Sequence, residues 1–333
     1  MEGRTSFFDP RELGGPCESA KTVSSWTEAL ASWREARRGH RPAKAHLAIL
    51  VERTRGEVML YEARAISGDG PTALVIGSHP YCDVVVDESA SLRHALLLVW
   101  PDEQRAQIEV LDLRTSTGIG RGGRAVSGLS GRGALQFTLG RLRITVIALG
   151  AQTDGPSYSD ELDRLLDDAE PEEVQGIDEG RRSLSRARTR VASEVDRQAI
   201  EEWSRLTPVR GLFASGRGFA RFGSGGVLEV EATVDDWMNG VVIGRDARCT
   251  GHDKLRQWAI SRVHAIFLAR GGRRYVIDTG STNGTTVIGR STQREHAFLS
   301  FDHRVAELTN GLSVVVGDMH VVVKLRTTGD GLA

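Results

Sequence analysis

Two stretches of this 333-residue chain carry the same pattern, and this internal repeat constrains the fold more than any other feature. The first stretch reads IGSHPYCDVVV, ASLRHALLL and IEVLDLRTSTGIG, and the second reads IGRDARC, AISRVHAIF and RYVIDTGSTNGTT, in the same order. The matched positions are Gly77 and Gly244, Ser91 and Ser261, His94 and His264, Asp112 and Asp278, and Gly118 and Gly284. Their separation ranges from 166 residues (112 to 278) to 170 residues (94 to 264). A constant order and spacing indicate a duplicated domain, because two copies are too few for a solenoid.

The two copies are predicted to consist of β-strands. In the first copy, short apolar runs lie at 46–52, 57–63, 72–78, 83–87, 94–100, 107–113 and 142–149. Residues 211–326 contain similar runs and end in the segment 313–325, where Gly317-Asp318 is expected to form a turn between two strands. Short runs separated by turn residues are typical of a sandwich or a barrel. We therefore expect a mainly β protein with a duplicated domain at 43–150 and 208–327, followed by a tail at 328–333.

The rest of the chain is predicted to contain helices. In the N-terminal extension, residues 1–42, Ser25 and Glu28 form a capping-box pair ahead of apolar residues at helical spacing. This helix is expected to pack on the adjacent domain or, alternatively, to dock a partner. The segment 151–207 is first acidic and then basic, and its apolar residues recur at near-helical spacing. We expect it to be a charged helical linker, with helices at about 158–169 and about 182–206.

Charge and cysteine content argue against several classes of protein. The formal net charge is −1, which provides no bulk attraction to nucleic acid or to anionic membranes. The three cysteines, Cys17, Cys82 and Cys249, form no CxxC motif, so neither a disulfide framework nor a zinc site is predicted. The N-terminus lacks the apolar core of a signal peptide, and no segment is apolar over the roughly 18 residues of a membrane span. We expect a soluble protein in the reducing cytoplasm.

The common catalytic motifs are also missing. The sequence contains no GxxxxGK[ST], HExxH, GxSxG, HRD or DFG motif, and its nine histidines show no metal-ligand spacing. The glycine-rich segment 215–226 is not set between a strand and a helix, so it is expected to be a loop or hairpin. The acidic run at 160–179 offers carboxylates without an apolar pocket that would shift their pKa values. We therefore expect no enzymatic activity, no metal and no cofactor.

A complete set of motifs is found in the second copy. Gly244-Arg245 is followed by Ser261-Arg262-Val263-His264, then by a strand ending in Asp278, then by Ser281-Thr282-Asn283-Gly284. On these motifs the segment resembles the forkhead-associated (FHA) domain, a β-sandwich that binds phosphothreonine peptides. The resemblance implies two FHA-type β-sandwich domains joined by the helical linker, with the short helix at the N-terminus.

The resemblance also implies roles for the matched residues. Arg245 and Ser261 would bind the phosphate, and Thr282 would add a hydroxyl to the phosphate or the peptide. A planar guanidinium suits phosphate because it donates paired, charge-assisted hydrogen bonds. Asn283 would pair with the peptide backbone, while Arg262 stays open between phosphate contact and a salt bridge within its loop. The residues expected to support the site structurally are Gly244, His264, Asp278 and Gly284.

The first copy keeps the structural residues and departs at the ligand-binding ones. Ser78 stands where the second copy has Arg245, Leu92 stands where it has Arg262, and Thr117 stands where it has Asn283. Each lost charge-assisted hydrogen bond is worth about 1.5–3 kcal/mol. We therefore expect a degenerate FHA-like domain that acts as a scaffold or docking module. Retained phosphate binding stays an alternative, because Arg93 or Arg114 could reach the pocket from another direction.

The expected function is a non-enzymatic phosphothreonine-peptide-binding adaptor in Ser/Thr kinase signalling. Its partner would be a phosphothreonine-containing protein, and a Ser/Thr protein kinase or its substrate is a further candidate. Two alternatives stay open, namely phosphate-independent scaffolding by the sandwiches and association with nucleic acid through the Arg181–Arg190 cluster. Ser183, Ser185 and Thr189 lie among these arginines, and a phosphorylated Thr189 could occupy the Arg245 pocket of the same or another chain.

Overall fold

The computed structural model describes residues 17–23, 28, 46–53, 57–64, 70–101, 106–121, 123–149, 194–204, 227–255, 260–289, 295–299, 303–310, 312–317 and 319–325. These residues form a mainly β structure, which confirms the predicted fold class. They build two β-sandwiches, and each sandwich consists of two facing sheets around its own apolar core.

The first sandwich contains the strands that precede residue 150. They are β1 Cys17–Val23, β2 His46–Glu52, β3 Val58–Arg64, β4 Thr72–Gly77, β5 Val84–Val85, β6 Ala95–Trp100, β7 Gln107–Asp112, β8 Ile119–Arg121, β9 Arg124–Val126, β10 Gly128–Arg132, β11 Ala134–Leu139 and β12 Leu142–Leu149. One sheet has the order β1-β3-β2-β12-β11-β8-β9, and the other has the order β10-β7-β6-β4-β5. Apolar side chains from both sheets, Ile49, Phe137 and Leu97 among them, meet in one core.

The second sandwich repeats this plan. Helix α1 Glu194–Ser204 precedes it, and its elements are β13 Val227–Ala232, α2 Val234–Asn239, β14 Val241–Ile243, β15 Ala265–Arg270, β16 Arg273–Asp278, β17 Thr285–Gly289, β18 Glu295–Leu299, β19 Val305–Glu307, β20 Leu312–Val316 and β21 Met319–Leu325. Its sheets have the orders β13-β21-β20-β17-β18 and β14-β15-β16-β19. Trp237 of α2 is fully buried and packs edge-on against Phe267. Burial of such a side chain contributes about 1.5–3 kcal/mol.

The helices add to the second sandwich. Helix α1 contributes Ile200 to its core, and Arg274 donates a hydrogen bond to the carbonyl oxygen of Ala199 at 3.0 Å. Helix α2 begins with a capping box in which Thr233 and Asp236 bond each other's backbone amides. Neither α2 nor strand β1 was predicted from the sequence.

Several sequence predictions fall outside the described residues. Helix α1 lies within the helix predicted at 182–206, but the rest of the linker, the helix at 158–169 and the Arg181–Arg190 cluster are not described. Of the predicted N-terminal helix, Glu28 alone is described, and it is helical. A helical linker therefore stays a prediction.

The two sandwiches pack against each other through one sheet of each. All six residues of β4 are buried because alternate side chains face opposite cores. Leu74 and Ile76 face the core of their own sandwich, whereas Ala73 and Val75 face the other sandwich. The same holds on β6, where Leu96 and Leu98 contact the second sandwich. The result is a stack of four sheets with three apolar layers between them.

This inter-sandwich interface uses equivalent positions of the two copies. The equivalent pairs are Val75 and Val242, Leu96 and Ile266, Leu98 and Leu268, Leu111 and Ile277, and the interface cysteines Cys82 and Cys249. The same patch on both partners is the mark of a two-fold, isologous interface, here formed within one chain. Burial raises the pKa of each interface cysteine to about 12, so both thiols are protonated.

The symmetry of the interface is broken at its polar positions. Trp100 packs edge-on against Tyr275, with ring centroids 5.2 Å apart. The equivalent positions in the other half hold Arg270 and Glu109, which form an ion pair at 2.9 Å. One half of the interface therefore uses an aromatic pair where the other half uses opposite charges.

Candidate functional site

Three loops of the second sandwich meet at one end of its β14-β15-β16 sheet. Ile243, the last residue of β14, lies opposite Ala265, the first residue of β15, and Ala265 lies opposite Asp278, the last residue of β16. In antiparallel strands this register places the loops after Ile243, before Ala265 and after Asp278 side by side. These loops carry the five candidate ligand-binding residues, Arg245, Ser261, Arg262, Thr282 and Asn283. We call this end the loop edge.

The first two loops are joined through their backbones. The amide of Arg245 donates to the carbonyl oxygen of Ser261 at 3.2 Å, and the amide of Asp246 donates to that of Arg262 at 3.0 Å. Gly244 permits this approach, because a methyl group in its place would overlap the carbonyl oxygen of Arg262. Arg245 is consequently held beside Ser261.

His264 joins the second loop to the third from inside the protein. Its Nδ1 accepts a hydrogen bond from the amide of Ser261 at 3.1 Å, so the ring proton is on Nε2. Nε2 then donates to the carbonyl oxygen of Gly284 at 2.9 Å. Burial lowers the pKa of His264 and keeps the ring neutral, although the nearby Asp278 carboxylate opposes this shift.

Asp278 organises the residues Ser281–Gly284, which we call the STNG turn. Its Oδ1 accepts from the amides of Gly280 and Ser281 at 2.8 and 2.7 Å. Its Oδ2 accepts from the hydroxyls of Ser281 and Thr285 at 2.6 and 2.8 Å. The carboxylate is fully buried and occupied by these four donors, so it faces the turn and not the ligand side.

The side chains at the loop edge present donors to solvent. Ser261 is buried, and its Oγ accepts from the amide of Thr282 at 3.1 Å and lies 3.5 Å from the Thr282 hydroxyl oxygen. Arg245, Arg262, Thr282 and Asn283 are exposed around it. The arrangement can surround a small anion with guanidinium, hydroxyl and amide donors, as expected for a phosphate site. The contribution of each residue to ligand binding stays a prediction.

Phe298 is a neighbour of the STNG turn that the sequence analysis missed. It lies on β18, its side chain is 42% exposed, and its ring occupies the space where a side chain at Gly284 would stand. Gly284 also has a positive φ of 71°, a conformation that favours glycine. The sequence marked this position only by an isolated aromatic residue in HAFLS, with no motif around it.

The first sandwich has the same scaffold at its own loop edge. His94 Nδ1 accepts from the amide of Ser91 at 3.1 Å, and its Nε2 lies 2.9 Å from the carbonyl oxygen of Gly118. These distances equal those around His264, and burial lowers the pKa of His94 as well. We refer to His94 and His264 as the bracing histidines. Asp112 again accepts from the backbone amide of the following turn, at Thr115.

The ligand-facing groups of the first sandwich are different. The hydroxyl of Ser78, at the position of Arg245, donates back to the carbonyl oxygen of Ala90 at 3.3 Å. Arg93 donates to the carbonyl oxygen of Gly280 in the second sandwich. The charge of Arg114 lowers the pKa of Asp112 in its own sandwich and that of Cys249 in the second one, although burial raises both pKa values overall. The arginines considered as substitutes thus lie close to the inter-sandwich interface.

Charges at the loop edge are unevenly neutralised. Arg248 pairs with Asp246 at 2.8 Å, and the hydrogen bonds from Arg248 lower the pKa of Asp246 to about 2. His79 of the first sandwich has a lowered pKa because of burial and then because of the charges of Arg93 and Arg262. Arg262 therefore acts on the neighbouring sandwich as well as on its own loop.

Two kinds of site are missing from the part of the chain that the structure describes. It contains no cluster of three or more His, Cys, Asp or Glu side chains arranged to hold a metal ion. Its helices are also too short or too polar to span a bilayer.

Comparison with known proteins identifies the second sandwich. Residues 241–300, from β14 through β18, match the sequence model of the FHA domain. This segment therefore matches the FHA-domain family, in agreement with the motif resemblance. FHA domains are in general phosphopeptide-binding protein-interaction modules and typically not catalysts. No curated protein matched the chain.

A search of solved structures matched about a third of this chain to proteins of Mycobacterium tuberculosis and yeast. The FHA-1 domain of Mycobacterium tuberculosis Rv1747 is 19% identical, with 31% of this chain and 96% of that one covered and a TM-score of 0.23. The yeast splicing factor Pml1 is 13% identical over 38% of this chain and 92% of its own, with a TM-score of 0.27. Full-length yeast Pml1p is 12% identical over 38% and 94%, with a TM-score of 0.26.

Proposed function

We propose that the second sandwich binds phosphothreonine peptides and that the protein is a non-enzymatic, cytoplasmic adaptor in Ser/Thr kinase signalling. The observation that carries this proposal is which arginines form ion pairs with carboxylates and which do not. Among the described residues, Arg245 and Arg262 have no carboxylate partner, whereas Arg248, Arg270 and Arg304 are paired with Asp or Glu. Two exposed, unpaired guanidinium groups beside one buried serine favour a ligand that is itself an anion.

The hydroxyl of Ser261 supports the same conclusion. Its oxygen accepts the Thr282 amide, and its proton makes only a long contact of 3.5 Å to the Thr282 hydroxyl oxygen, so rotation of the hydroxyl would allow it to donate to a ligand. A phosphate oxygen at that point would also lie near the Thr282 hydroxyl, which is 3.5 Å from Ser261 Oγ. A tetrahedral phosphate offers three acceptor oxygens and about −2 charge, so it attracts such a ring of donors more strongly than a carboxylate with two oxygens and a single charge does.

Asn283 gives the site a means of holding a peptide as well as a phosphate. It is exposed at the tip of the STNG turn, next to Thr282. Its amide group carries both donors and an acceptor, which match the alternating polar groups of an extended peptide backbone. The proposed ligand is therefore a phosphothreonine within an extended, accessible segment of a partner protein.

A peptide-array experiment tests the proposal. The full chain is applied to degenerate peptide libraries that contain phosphothreonine, phosphoserine, threonine or glutamate at one fixed position. We expect retention by the phosphothreonine library, weak retention by the glutamate library, and loss of retention for Arg245→Ala with a nearly unchanged melting temperature. Equal retention of the phosphorylated and unphosphorylated libraries would refute the proposal, and unfolding of Arg245→Ala would refute the assignment of this residue to the ligand.

A further inference from the structure

Polar groups of the first sandwich reach the residue that precedes the STNG turn. Arg93 donates from Nη2 to the carbonyl oxygen of Gly280. The carbonyl oxygen of Tyr81 accepts from Arg304 at 3.2 Å and lies 3.0 Å from the point that a Cβ atom on Gly280 would occupy. Gly280 is therefore enclosed by the neighbouring sandwich.

The peptide group between Gly280 and Ser281 is held at both of its polar atoms. Arg93 holds the carbonyl oxygen, and Asp278 accepts the Ser281 amide at 2.7 Å. A rotation of this peptide plane would displace the residues that follow, including Thr282, whose amide reaches Ser261 Oγ. The orientation of the STNG turn thus depends on a donor from outside its own sandwich.

A second contact fixes the strand end from which the turn begins. The carbonyl oxygen of Arg304 accepts the amide of Asp278 at 2.8 Å. The guanidinium of Arg304 pairs with Asp83 of the first sandwich at 2.9 Å, and the two side chains are 2% and 0% exposed. A shift of the first sandwich within the packed interface would separate these two buried charges, which is strongly unfavourable.

Although the interface is two-fold, these charged contacts support only the turn of the second sandwich. The repeat places Val263 at the position equivalent to Arg93, Thr250 at that of Asp83, and Ser127 at that of Arg304. None of these side chains carries a charge, so the equivalent contacts toward the turn 115–118 of the first sandwich cannot form. The asymmetry favours the copy that retains the ligand-binding residues.

We propose that the first sandwich is a positioning module for the phosphopeptide site of the second, and that Arg93 is the residue through which it acts. This inference rests on the proposed function. Arg93 does not touch the ligand; it holds the Gly280 carbonyl and thereby sets the position of Thr282 and Asn283. A copy that lost its own ligand-binding residues contributes to the site of its neighbour.

The experiment compares variants of the full chain in two measurements. The first is the affinity for a phosphothreonine peptide selected from the library, and the second is hydrogen exchange of the segment 278–285 without peptide, followed by mass spectrometry. The variants are Arg93→Ala, Arg93→Lys and the matched control Arg143→Ala. Arg143 is a first-sandwich arginine that pairs with Glu52 at 3.1 Å away from the interface.

For Arg93→Ala we expect about tenfold weaker peptide binding, the size of one charge-assisted hydrogen bond at its lower end. Exchange in 278–285 is expected to become faster, Arg93→Lys to recover part of both effects, and Arg143→Ala to match wild type. If Arg93→Ala fails to fold, Arg93→Gln, which keeps a donor without the charge, takes its place.

Wild-type affinity in the Arg93 variants would overturn the positioning role and leave the proposed function intact. Failure of the wild-type chain to bind any phosphothreonine peptide would overturn the proposed function and the positioning role together. The two failures are therefore distinguishable.

Discussion

Removal of the Glu109 side chain provides a quantitative test of the inter-sandwich interface. Glu109 accepts from Arg270 Nε at 2.9 and 3.3 Å through its two oxygens, and the two side chains are 3% and 9% exposed. In Glu109→Ala the guanidinium would lose both of these hydrogen bonds and keep the one to the carbonyl oxygen of Ala269, at 2.7 Å. A buried charge would then have lost this carboxylate partner.

The expected cost follows from this burial. Loss of one partner of a buried ion pair costs about 3–5 kcal/mol, whereas an exposed pair is worth about 0.2–1 kcal/mol. The chain supplies a partly exposed pair of similar length for comparison, Arg143 with Glu52 at 3.1 Å, whose side chains are 38% and 31% exposed. Glu109→Ala is therefore expected to lower the free energy of unfolding several times more than Glu52→Ala does.

The equivalence of the two copies suggests a double substitution that should restore the lost stability. Arg270→Trp combined with Glu109→Tyr would place in this half the aromatic pair that Trp100 and Tyr275 form in the other half. Since apolar replacement of a buried ion pair is often neutral or stabilising, the double variant is expected to regain most of the lost stability.

Urea unfolding of the full chain, followed by circular dichroism, measures these differences. Equal small losses for Glu109→Ala and Glu52→Ala, below about 1 kcal/mol, would show that Glu109 is solvated. The sandwiches would then not be packed against each other as described.

Three further predictions concern the loop edges and the interface. Gly244→Ala is expected to cost about 1–3 kcal/mol in urea unfolding and to weaken phosphopeptide binding, because the added methyl group overlaps the Arg262 backbone; Gly77→Ala should cost similar stability without loss of binding. Burial lowers the folded-state pKa of the bracing histidines. Below about pH 6.5 the unfolded chain therefore binds more protons than the folded chain, and the free energy of unfolding falls by up to about 1.4 kcal/mol per pH unit for each histidine. Burial raises the pKa of Asp112 to about 6, and its protonation below that pH stabilises the folded chain and so opposes the effect of the histidines. Urea midpoints compared between pH 7.5 and 6 therefore give the clearest test. Midpoints that rise toward pH 6 would contradict the predicted loss of stability. Iodoacetamide at pH 8 is expected to leave the interface cysteines unmodified until urea unfolds the chain, as read by peptide mass mapping; rapid native modification would show that the interface opens.

Strands that lie in continuous apolar runs could be predicted from the sequence, and strands without such a run could not. Runs such as HLAILVE and HALLLVW gave β2 and β6 within about one residue of their bounds. Strands β8 to β10 were missed because they are three to five residues long, with glycine in β8 and β10, which weakens their strand signal, and β11 was missed although its apolar residues alternate over six positions. Their hydrogen bonds to longer neighbours stabilise them in the fold, and that tertiary contribution is not visible in local sequence.

The sequence indicated that some strands are covered on both faces, but it did not indicate what covers them. TALVIG and AIFLAR are apolar at nearly every position, and a strand that is apolar on both faces belongs to a sheet covered on both sides. The identity of the covering surface could not be predicted, because it depends on long-range placement of the two copies. Arg93 illustrates this limit, because its neighbours in sequence belong to the first sandwich while its hydrogen-bond acceptor, Gly280, belongs to the second.

The candidate ligand-binding residues were found from their motifs, and the structure places them at one loop edge. What the sequence could not provide is which groups are already paired. The exposed and unpaired state of Arg245, in contrast to the paired state of Arg248, depends on the position of Asp246 in three dimensions.

Calorimetric titration of a library-selected phosphothreonine peptide into the full chain tests the central claim most directly. The matched variants are Arg245→Ala in the second sandwich and Ser78→Ala at the equivalent position in the first. We predict one peptide bound per chain, no detectable binding to Arg245→Ala, and wild-type affinity for Ser78→Ala. Two peptides per chain, or undiminished binding to Arg245→Ala, would contradict the claim that the second sandwich alone holds the phosphate.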